Sequence, residues 1–250
     1  MRGWGLLLLL GGMAVSVARA AESPLPEQVR LVSEEWEDYT RADGSGLAWD
    51  VMRKIFEPAG VVVVTRTEPY LRSVGLVQKG EADAWVGSYQ QEAEALYPRW
   101  HYDTDHIYAL ALASKAVPAY STVGNYRLAW VRGYEFQHYL PGITRYNEVQ
   151  RRSGILSMLE HDRADYYIDA LTEIDVILKQ AAEPARYRRT HLAELPLYLG
   201  FADTPRGRAL RALYDKRMDE LVPGGQLREI YRHWQQPYPF DTPAGVQQSN

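Results

Sequence analysis

The chain has 250 residues, with 28 Lys and Arg against 32 Asp and Glu, and a net charge of −4 at pH 7. This mildly acidic balance argues against a strongly basic surface for nucleic acid. Because cysteine is absent, disulfides, thiol nucleophiles and thiolate metal sites are excluded, and stability must come from burial of a core.

The first residues have the features of a signal peptide. Arg2 gives a positive start, residues 6–17 are apolar, and the Ala-Arg-Ala sequence at 18–20 is a small-residue cleavage site. The alternative is a retained membrane anchor, but the apolar stretch is shorter than the ~20 residues that span a bilayer. We therefore predict a signal peptide over residues 1–20, cleavage near Ala20 and a periplasmic mature chain.

A first β-α-β-α-β pattern extends to residue 89. Its predicted elements are, in order, a strand at 28–33, a helix from residue 47, a strand at 61–65, a helix at 70–79 and a strand at 82–89. Leu47, Val51 and Ile55 have helical spacing, and the valine run that follows is typical of a buried strand. This order indicates a parallel sheet covered by helices.

A second pattern of the same kind follows a strand at 106–113. Its predicted elements are strands at 127–131 and near 144, a helix at 155–160, a strand at 164–169 and a helix at 172–180. The remaining elements are a return strand at 195–202, a helix capped by Thr204 and a last helix at 227–234. The repetition favours two lobes over one extended sheet.

The two patterns share an Ala-Asp pair at the start of a strand. The pairs end at Asp83 and Asp165, 82 residues apart along the chain. In an open α/β sheet, ligands bind in the crevice where such strands end. Two strands of similar build therefore predict two lobes that face each other across a shared cleft.

Several short motifs, in order, resemble those of the bacterial family 3 extracellular solute-binding proteins. They are Gly-Leu-Ala-Trp-Asp-Val-Met at 46–52, Lys-Gly-Glu-Ala-Asp at 79–83, Arg-Ala-Asp at 163–165 and Gly-Gln-Leu-Arg-Glu-Ile-Tyr-Arg-His-Trp at 225–234. No single motif is specific, but their order and spacing cover nearly the whole mature chain. The chain is similar to proteins that deliver amino acids to ABC transporters.

This resemblance implies an α/β, two-lobed type II periplasmic-binding-protein fold, with a ligand cleft between lobes joined by two hinge strands. Lobe 1 would comprise residues 21–112 plus 200–240, lobe 2 residues 113–199, and residues 241–250 a flexible tail. Closure of the lobes around a ligand would be a Venus-flytrap motion.

The resemblance also implies two ligand-clamping positions, and neither holds the family's usual residue. In amino-acid binders of this family an arginine of a Thr-x-x-Arg segment holds the ligand carboxylate, whereas Ala95 stands at that position here. Arg99, nearby in a different register, is the alternative. The aspartate that holds the α-ammonium corresponds to Ala170. Asp169 is one residue short and should face the other way, unless a bulge rotates it into the cleft.

The predicted cleft is instead rich in aromatic residues, which could sandwich a flat or cationic solute. A glycine at a strand end adds backbone N–H groups that favour an anion. The predicted ligand-binding residues are Glu34, Trp36, Tyr39, Tyr70, Ser88, Tyr89, Trp100, Gly133, Tyr134 and Asp169. The alternatives are that most of these rings pack in the core or hinge, that Glu34 belongs to a solvated turn and that Gly133 is an ordinary turn glycine.

The sequence carries little that indicates catalysis. It contains no Gly-x-Ser-x-Gly elbow and no glycine-rich phosphate loop. His101 and His106 are poorly spaced for a metal site with Asp103 or Asp105, so we predict no metal and no cofactor. We expect a monomeric periplasmic protein that captures a small polar or amphiphilic solute for an ABC-type transporter or sensor, and binds no nucleic acid. The alternatives are an enzyme on the same scaffold, such as a dehydratase, and a non-transport binding partner with a degenerate cleft.

Overall fold

The computed structural model describes residues 25–241. The predicted signal peptide at 1–20 and residues 242–250 of the predicted tail lie outside the described residues. Among the helices of residues 25–241, none has the length and apolar character needed to cross a bilayer.

Eight strands form one sheet whose outer parts are parallel. The strands are β1 (Gln28–Ser33), β2 (Val62–Thr67), β3 (Ala84–Ser88), β4 (Asp103–Leu112), β5 (Leu128–Val131), β6 (Tyr146–Val149), β7 (Tyr166–Ala170) and β8 (Tyr187–Phe201). Their spatial order is β2-β1-β3-β8-β4-β7-β5-β6. We call β1, β2 and β3 the first half and β5, β6 and β7 the second half. Each half is parallel within itself, and the long antiparallel pair of β4 and β8 joins them.

Helices cover both halves. They are α1 (Leu47–Phe56), α2 (Tyr70–Gln78), α3 (Ile155–Glu160), α4 (Leu171–Lys179), α5 (Pro205–Leu221) and α6 (Arg228–His233). The face of α1 with helical spacing is buried, as its spacing predicts. The Thr204 hydroxyl accepts a hydrogen bond from the backbone N–H of Gly207, and Pro205 fits the first position of α5, so this helix begins where predicted.

Strand β8 is longer than the predicted return strand at 195–202. The first half of β8 carries exposed charged residues, and a bulge opposite Ile107 and Tyr108 interrupts the alternation that would identify it as a strand. The predicted lobe boundaries at residues 112 and 200 fall at the end of β4 and near the end of β8, and they stay a prediction.

The paired Ala-Asp motifs fasten neighbouring strands together. Asp83 accepts hydrogen bonds from the backbone N–H of Arg30 (2.8 Å) and from the guanidinium groups of Arg30 and Arg206. Asp165 does the same for Arg127, with Lys115 as a second cation. Burial alone would raise the pKa of Asp83, but these hydrogen bonds leave it below its ordinary value. The repeated motif therefore stabilises the start of β3 and β7, and the cleft lies at the opposite ends of these strands.

Candidate functional site

A small cavity lies at the carboxyl ends of β1, β3 and β7, beside the start of β4. Its volume is about 50 Å³, room for a few ordered water molecules. Its aromatic lining is Trp36, Tyr39, Tyr70, Tyr89, Tyr102 and Tyr134, and its carboxyl groups are those of Glu92, Asp105, Asp169 and Glu173. The cavity therefore combines an apolar, π-rich wall with an excess of acids.

The two halves of the sheet meet across this cavity through aromatic contacts. Trp36 follows β1, whereas Tyr134 follows β5, and the indole Nε1 of Trp36 donates to the Tyr134 hydroxyl at 3.1 Å. The Tyr70 ring lies between them, with its centroid 6.2 Å from that of Trp36 and 5.6 Å from that of Tyr134. The structure is thus a closed arrangement in which side chains of both halves share one site.

Gly87 allows the Trp36 ring to lie at the cavity. A Cβ atom at Gly87 would be 2.3 Å from Cη2 of Trp36, and the φ angle of +89° is unfavourable for any residue with a side chain. We expect Gly87→Ala to displace the indole and to lower the free energy of unfolding by about 1–3 kcal/mol. Urea denaturation measures the change.

Gly75 provides the matched control for this substitution. It lies within α2, and a Cβ atom there would meet nothing within 4 Å. Because alanine restricts the unfolded chain and suits a helix, Gly75→Ala should leave stability unchanged or raise it. Equal losses in the two variants would contradict the proposed packing of Trp36 on Gly87.

Arg152 is the cation that balances the acids of the site. Its Nε atom lies 2.9 Å from Asp169 Oδ2 and 3.1 Å from Glu173 Oε2, and its Nη1 lies 3.2 Å from Glu34 Oε1. Its Nη2 donates to the Tyr134 hydroxyl at 2.6 Å. With 18% of its side chain exposed, Arg152 is largely buried, so these pairs are poorly screened by solvent. The contact with Glu34 joins the second half to the first.

The other two carboxyl groups at the cavity, those of Glu92 and Asp105, form no ion pair within residues 25–241. Glu92 accepts hydrogen bonds from the Tyr70 hydroxyl (2.6 Å) and the Tyr89 backbone N–H (3.0 Å), and Asp105 accepts one from the Tyr89 hydroxyl (2.9 Å). Burial nevertheless raises the pKa of both Glu92 and Asp105 to about 7. Burial also raises the pKa of Glu173 to about 7, despite the nearby Arg152. Among the described residues, no Lys or Arg lines the cavity itself.

Most of the predicted ligand residues come together here. Those that line the cavity are Trp36, Tyr39, Tyr70, Tyr89, Tyr134 and Asp169. Glu34 and Ser88 lie one contact behind the lining, Glu34 through the hydrogen bond that it accepts from the Tyr134 hydroxyl and Ser88 through its hydrogen bond to Glu92. A ligand-binding role for these residues stays a prediction.

Two predicted residues lie elsewhere. The indole Nε1 of Trp100 donates to Asp219 on α5 at 2.8 Å, because the chain has turned away from the cavity after β3. The backbone N–H of Gly133 donates to the Glu148 carboxylate, so this turn already holds an anion from the protein. Neither Trp100 nor Gly133 lines the cavity, so the structure does not bring these two residues together with the other predicted ligand residues.

Of the two residues considered as alternative ligand clamps, Asp169 lines the cavity and Arg99 does not. Arg99 pairs with Asp215 and Asp219 on α5, and 66% of its side chain is exposed, so it does not reach the cavity. Asp169 does line the cavity, as does Ala170, although β7 has no bulge against β4. The expectation that Asp169 faces away from the cleft is wrong, since Asp169 and Ala170, the last two residues of β7, both line the cavity.

The acids and Arg152 were largely missed from sequence. Glu92, Asp105 and Glu173 are ordinary charged residues in the sequence, and only their burial distinguishes them. Arg152 belongs to an Arg-Arg pair before a short helix, which gives no signal of a buried cation. The only available signal was position, since each of these residues lies within a few residues of an end of a predicted strand or helix.

Comparison with known proteins finds likeness in structure alone. No protein-family model matches the chain, and no curated protein matches it. An ABC uptake transporter substrate-binding protein from Streptococcus pneumoniae with bound histidine is 15% identical, with a TM-score of 0.67 over 86% of this chain and 95% of its own. EhuB in complex with hydroxyectoine is 22% identical, with a TM-score of 0.65 over 85% of this chain and 90% of its own.

The chain has the type II periplasmic-binding-protein fold. A histidine kinase sensor domain with similarity to periplasmic binding proteins has the same fold, at 16% identity and a TM-score of 0.66 over 82% of this chain and 95% of its own. The resemblance seen in the sequence is confirmed at the level of the fold. In this type II fold the cavity occupies the cleft between the lobes.

Proposed function

We propose that this protein is a periplasmic solute-binding protein whose cleft closes on a small, positively charged and amphiphilic solute, for an ABC-type transporter or a sensor. The observation that carries the proposal is the cavity lining, in which six aromatic side chains surround four carboxyl groups and Arg152 pairs with only two of these, Asp169 and Glu173. A cation over an aromatic face gains about 0.5–2 kcal/mol per ring, more when it is desolvated.

The charge balance favours a cation over an amino acid. Arg152 is the one Lys or Arg side chain in the described residues that contacts the lining carboxylates, and its donors are taken by Asp169, Glu173 and Glu34. A ligand carboxylate would find no free guanidinium there. A ligand ammonium, by contrast, would supply the charge that Glu92 and Asp105 lack.

Binding requires the cleft to open or the lining to rearrange. The present cavity has room for only a few water molecules, and contacts of Tyr134 with Trp36 and Arg152 close the site beside it. Because Trp36 and Glu34 belong to the first half and Tyr134 and Arg152 to the second, opening breaks their mutual contacts. We propose that the solute replaces part of these contacts when the lobes close again.

Matched cationic and neutral solutes test this proposal. Choline, with its quaternary ammonium, and the neutral isostere 3,3-dimethyl-1-butanol form one pair, and agmatine and the neutral amide N-butylacetamide form a second. In a thermal-shift screen followed by calorimetry, we expect the cationic members to raise the Tm and the neutral members to have little effect. Equal binding within the pairs, or a response only to amino acids, would overturn the cationic assignment.

Two tryptophan variants locate the binding site. Trp36→Leu removes an aromatic wall and should weaken binding of the responding cation by about tenfold or more. Trp100→Leu changes a tryptophan that lies outside the cavity, so its affinity should equal that of the wild type even if the Tm falls. If Trp100→Leu has the larger effect on affinity, the solute binds elsewhere.

An enzyme on the same scaffold is the second candidate. The observation that favours it is the pKa of about 7 for Glu92, Asp105 and Glu173, which suits general acid–base chemistry at neutral pH. Proton NMR time courses on each solute that raises the Tm would reveal conversion. Conversion that Glu92→Gln abolishes would support a catalytic role, and unchanged solute over a day would support binding alone.

A further inference from the structure

A cluster of metal-ligating side chains lies on the joining strands β4 and β8, outside the cleft. His106 belongs to β4, and His191 and Glu194 belong to β8. One ligand atom from each residue lies within 4.8 Å of the other two. His106 Nδ1 is 3.4 Å from Glu194 Oε1. This group plays no part in the core or in the cavity.

A β-bulge brings the third residue onto the same face. His106 lies opposite Glu194, and the register between the strands then shifts so that Tyr108 lies opposite His191. His191 and Glu194 are three residues apart, so a regular strand would place them on opposite faces. The bulge rotates His191 to the exposed face of Glu194, and bulges often re-aim side chains in this way at functional sites.

The cluster faces away from the ligand cavity. Asp105 lines the cavity, and the neighbouring His106 points to the other side of the strand. Both β8 residues are exposed, and the ring of Tyr108 lies 5.2 Å from that of His191. The three polar groups are therefore reachable from solvent and can adjust their rotamers at small cost.

We propose that His106, His191 and Glu194 form a binding site for one first-row divalent transition metal ion such as zinc. Two imidazoles and a carboxylate match the N and O ligands that Zn²⁺ accepts, with a fourth position open to solvent. Tetrahedral ligands at bond lengths of about 2.0–2.1 Å lie roughly 3.3 Å apart, so the side chains need to approach by about 1.5 Å at most. Mg²⁺ and Ca²⁺ prefer all-oxygen sites and should bind poorly.

The bound metal would link β4 to β8 across the strands that join the two halves. The prediction of no metal site considered His106 only with His101, Asp103 and Asp105, which are near it in sequence. His191 and Glu194 come from a strand some 85 residues later, and only the sheet pairing brings them beside His106.

Calorimetry on the tag-free mature chain tests the site. After EDTA treatment and dialysis, titration with ZnCl₂ should show one equivalent bound, and titration with MgCl₂ should show no comparable heat. His191→Ala and Glu194→Gln should each weaken zinc binding by about tenfold or more. Because both side chains are exposed, we expect both variants to fold with wild-type Tm values.

His138→Ala is the matched control. His138 is also exposed and lies 3.4 Å from a carboxylate, that of Glu135, but it has no second imidazole partner. Zinc affinity should be unchanged in this variant. The proposal is overturned if the wild type binds less than one equivalent, if His191→Ala and Glu194→Gln bind zinc as tightly as His138→Ala, or if Mg²⁺ binds as tightly as zinc.

Discussion

Replacing Arg152 by alanine is expected to lower the free energy of unfolding by about 3–5 kcal/mol at pH 8. The guanidinium lies between Asp169, Glu173 and Glu34, and only 18% of the side chain is exposed. Without it, two or three carboxylates stay close together in a desolvated site with no compensating charge. Urea denaturation at pH 8 measures the loss.

Arg152→Ala should lower the free energy of unfolding by less in mild acid than at pH 8. Burial already raises the pKa of Glu34 and Glu173, so both groups can take up protons near pH 5 and escape the uncompensated charge. We therefore expect the destabilisation by Arg152→Ala to fall by half or more between pH 8 and pH 5. A loss that is independent of pH would mean that Arg152 acts through packing and not through charge.

Arg232→Ala is a suitable control for the loss of an arginine. Arg232 pairs with Glu229 on α6, and 71% of its side chain is exposed. Exposed pairs of this kind contribute little, so the change should stay within about 0.5 kcal/mol at either pH. A similar loss in both variants would show that burial of Arg152 is not what matters.

The stability of the wild-type protein is expected to decrease from pH 5 to pH 8 by at least about 2–3 kcal/mol, which is what one carboxyl group with a folded-state pKa of about 7 contributes over this range. Burial raises the pKa of Glu92, Asp105 and Glu173 to about 7 and that of Asp103 to about 8. Between the ordinary carboxyl pKa and these values the folded state binds more protons than the unfolded state. The free energy of unfolding therefore falls as pH rises through this window. Thermal and urea unfolding at half-unit steps of pH measure the slope.

Other carboxyl groups have a lowered pKa in the folded state, and they reduce stability at acidic pH. The guanidinium and ammonium groups of Arg127 and Lys115 lower the pKa of Asp165, and arginine hydrogen bonds lower that of Asp83 despite its burial. Their contribution is present above the ordinary carboxyl pKa and is lost as pH falls below it. We therefore expect a maximum of stability near pH 5.

Glu92→Gln isolates one of the responsible groups. The amide has the shape of the carboxyl group but cannot ionise, so the variant should lose less stability than the wild type between pH 5 and pH 8. Glu57→Gln, at an exposed position at the end of α1, serves as its control and should keep the wild-type slope. An unchanged slope in Glu92→Gln would show that this carboxyl group does not titrate in that range.

The affinity for a cationic solute should have the opposite pH dependence to the stability of the protein. If binding favours ionised Glu92 and Asp105, it releases protons, and the affinity for the solute should rise from pH 5 to pH 8. Calorimetry of the responding cation at the two pH values, in buffers of different ionisation enthalpy, measures the number of protons released. An affinity that falls with pH would argue against a cation held by these carboxyl groups.

Local sequence patterns were sufficient for most of the fold. The helical spacing in α1 and the cap at Thr204 depend on contacts over a few residues, and both form as predicted. The valine run does form β2, but at the edge of the sheet, where Val62 and Val64 are 59% and 42% exposed, so the prediction of a buried strand is wrong. The length of β8 was underestimated because its first half is defined by pairing with β4, a strand that is distant along the chain. The alternation of period two also fails in β8 because a bulge opposite Ile107 and Tyr108 interrupts it.

The residues of the site were predicted only in part, because their positions also depend on contacts between segments that are distant in sequence. Aromatic residues after strands were recognisable, and six of the predicted residues line the cavity. Trp100 had the same appearance in the sequence but contacts α5, since the course of the chain after β3 is set by long-range packing. Asp169 reaches the cavity because of where β7 ends, which alternation along the strand does not determine.

The sequence by itself determined the order of strands and helices, the repeated β-α-β-α-β pattern and the presence of aromatic residues at the strand ends. These features depend on side-chain periodicity and local caps, which are encoded within a few neighbouring residues. The tertiary structure decided what the repeated Ala-Asp motif does, which acids are buried and where Arg152 lies. Burial, and the shift in pKa that follows from it, arises only when segments distant in sequence meet and exclude water.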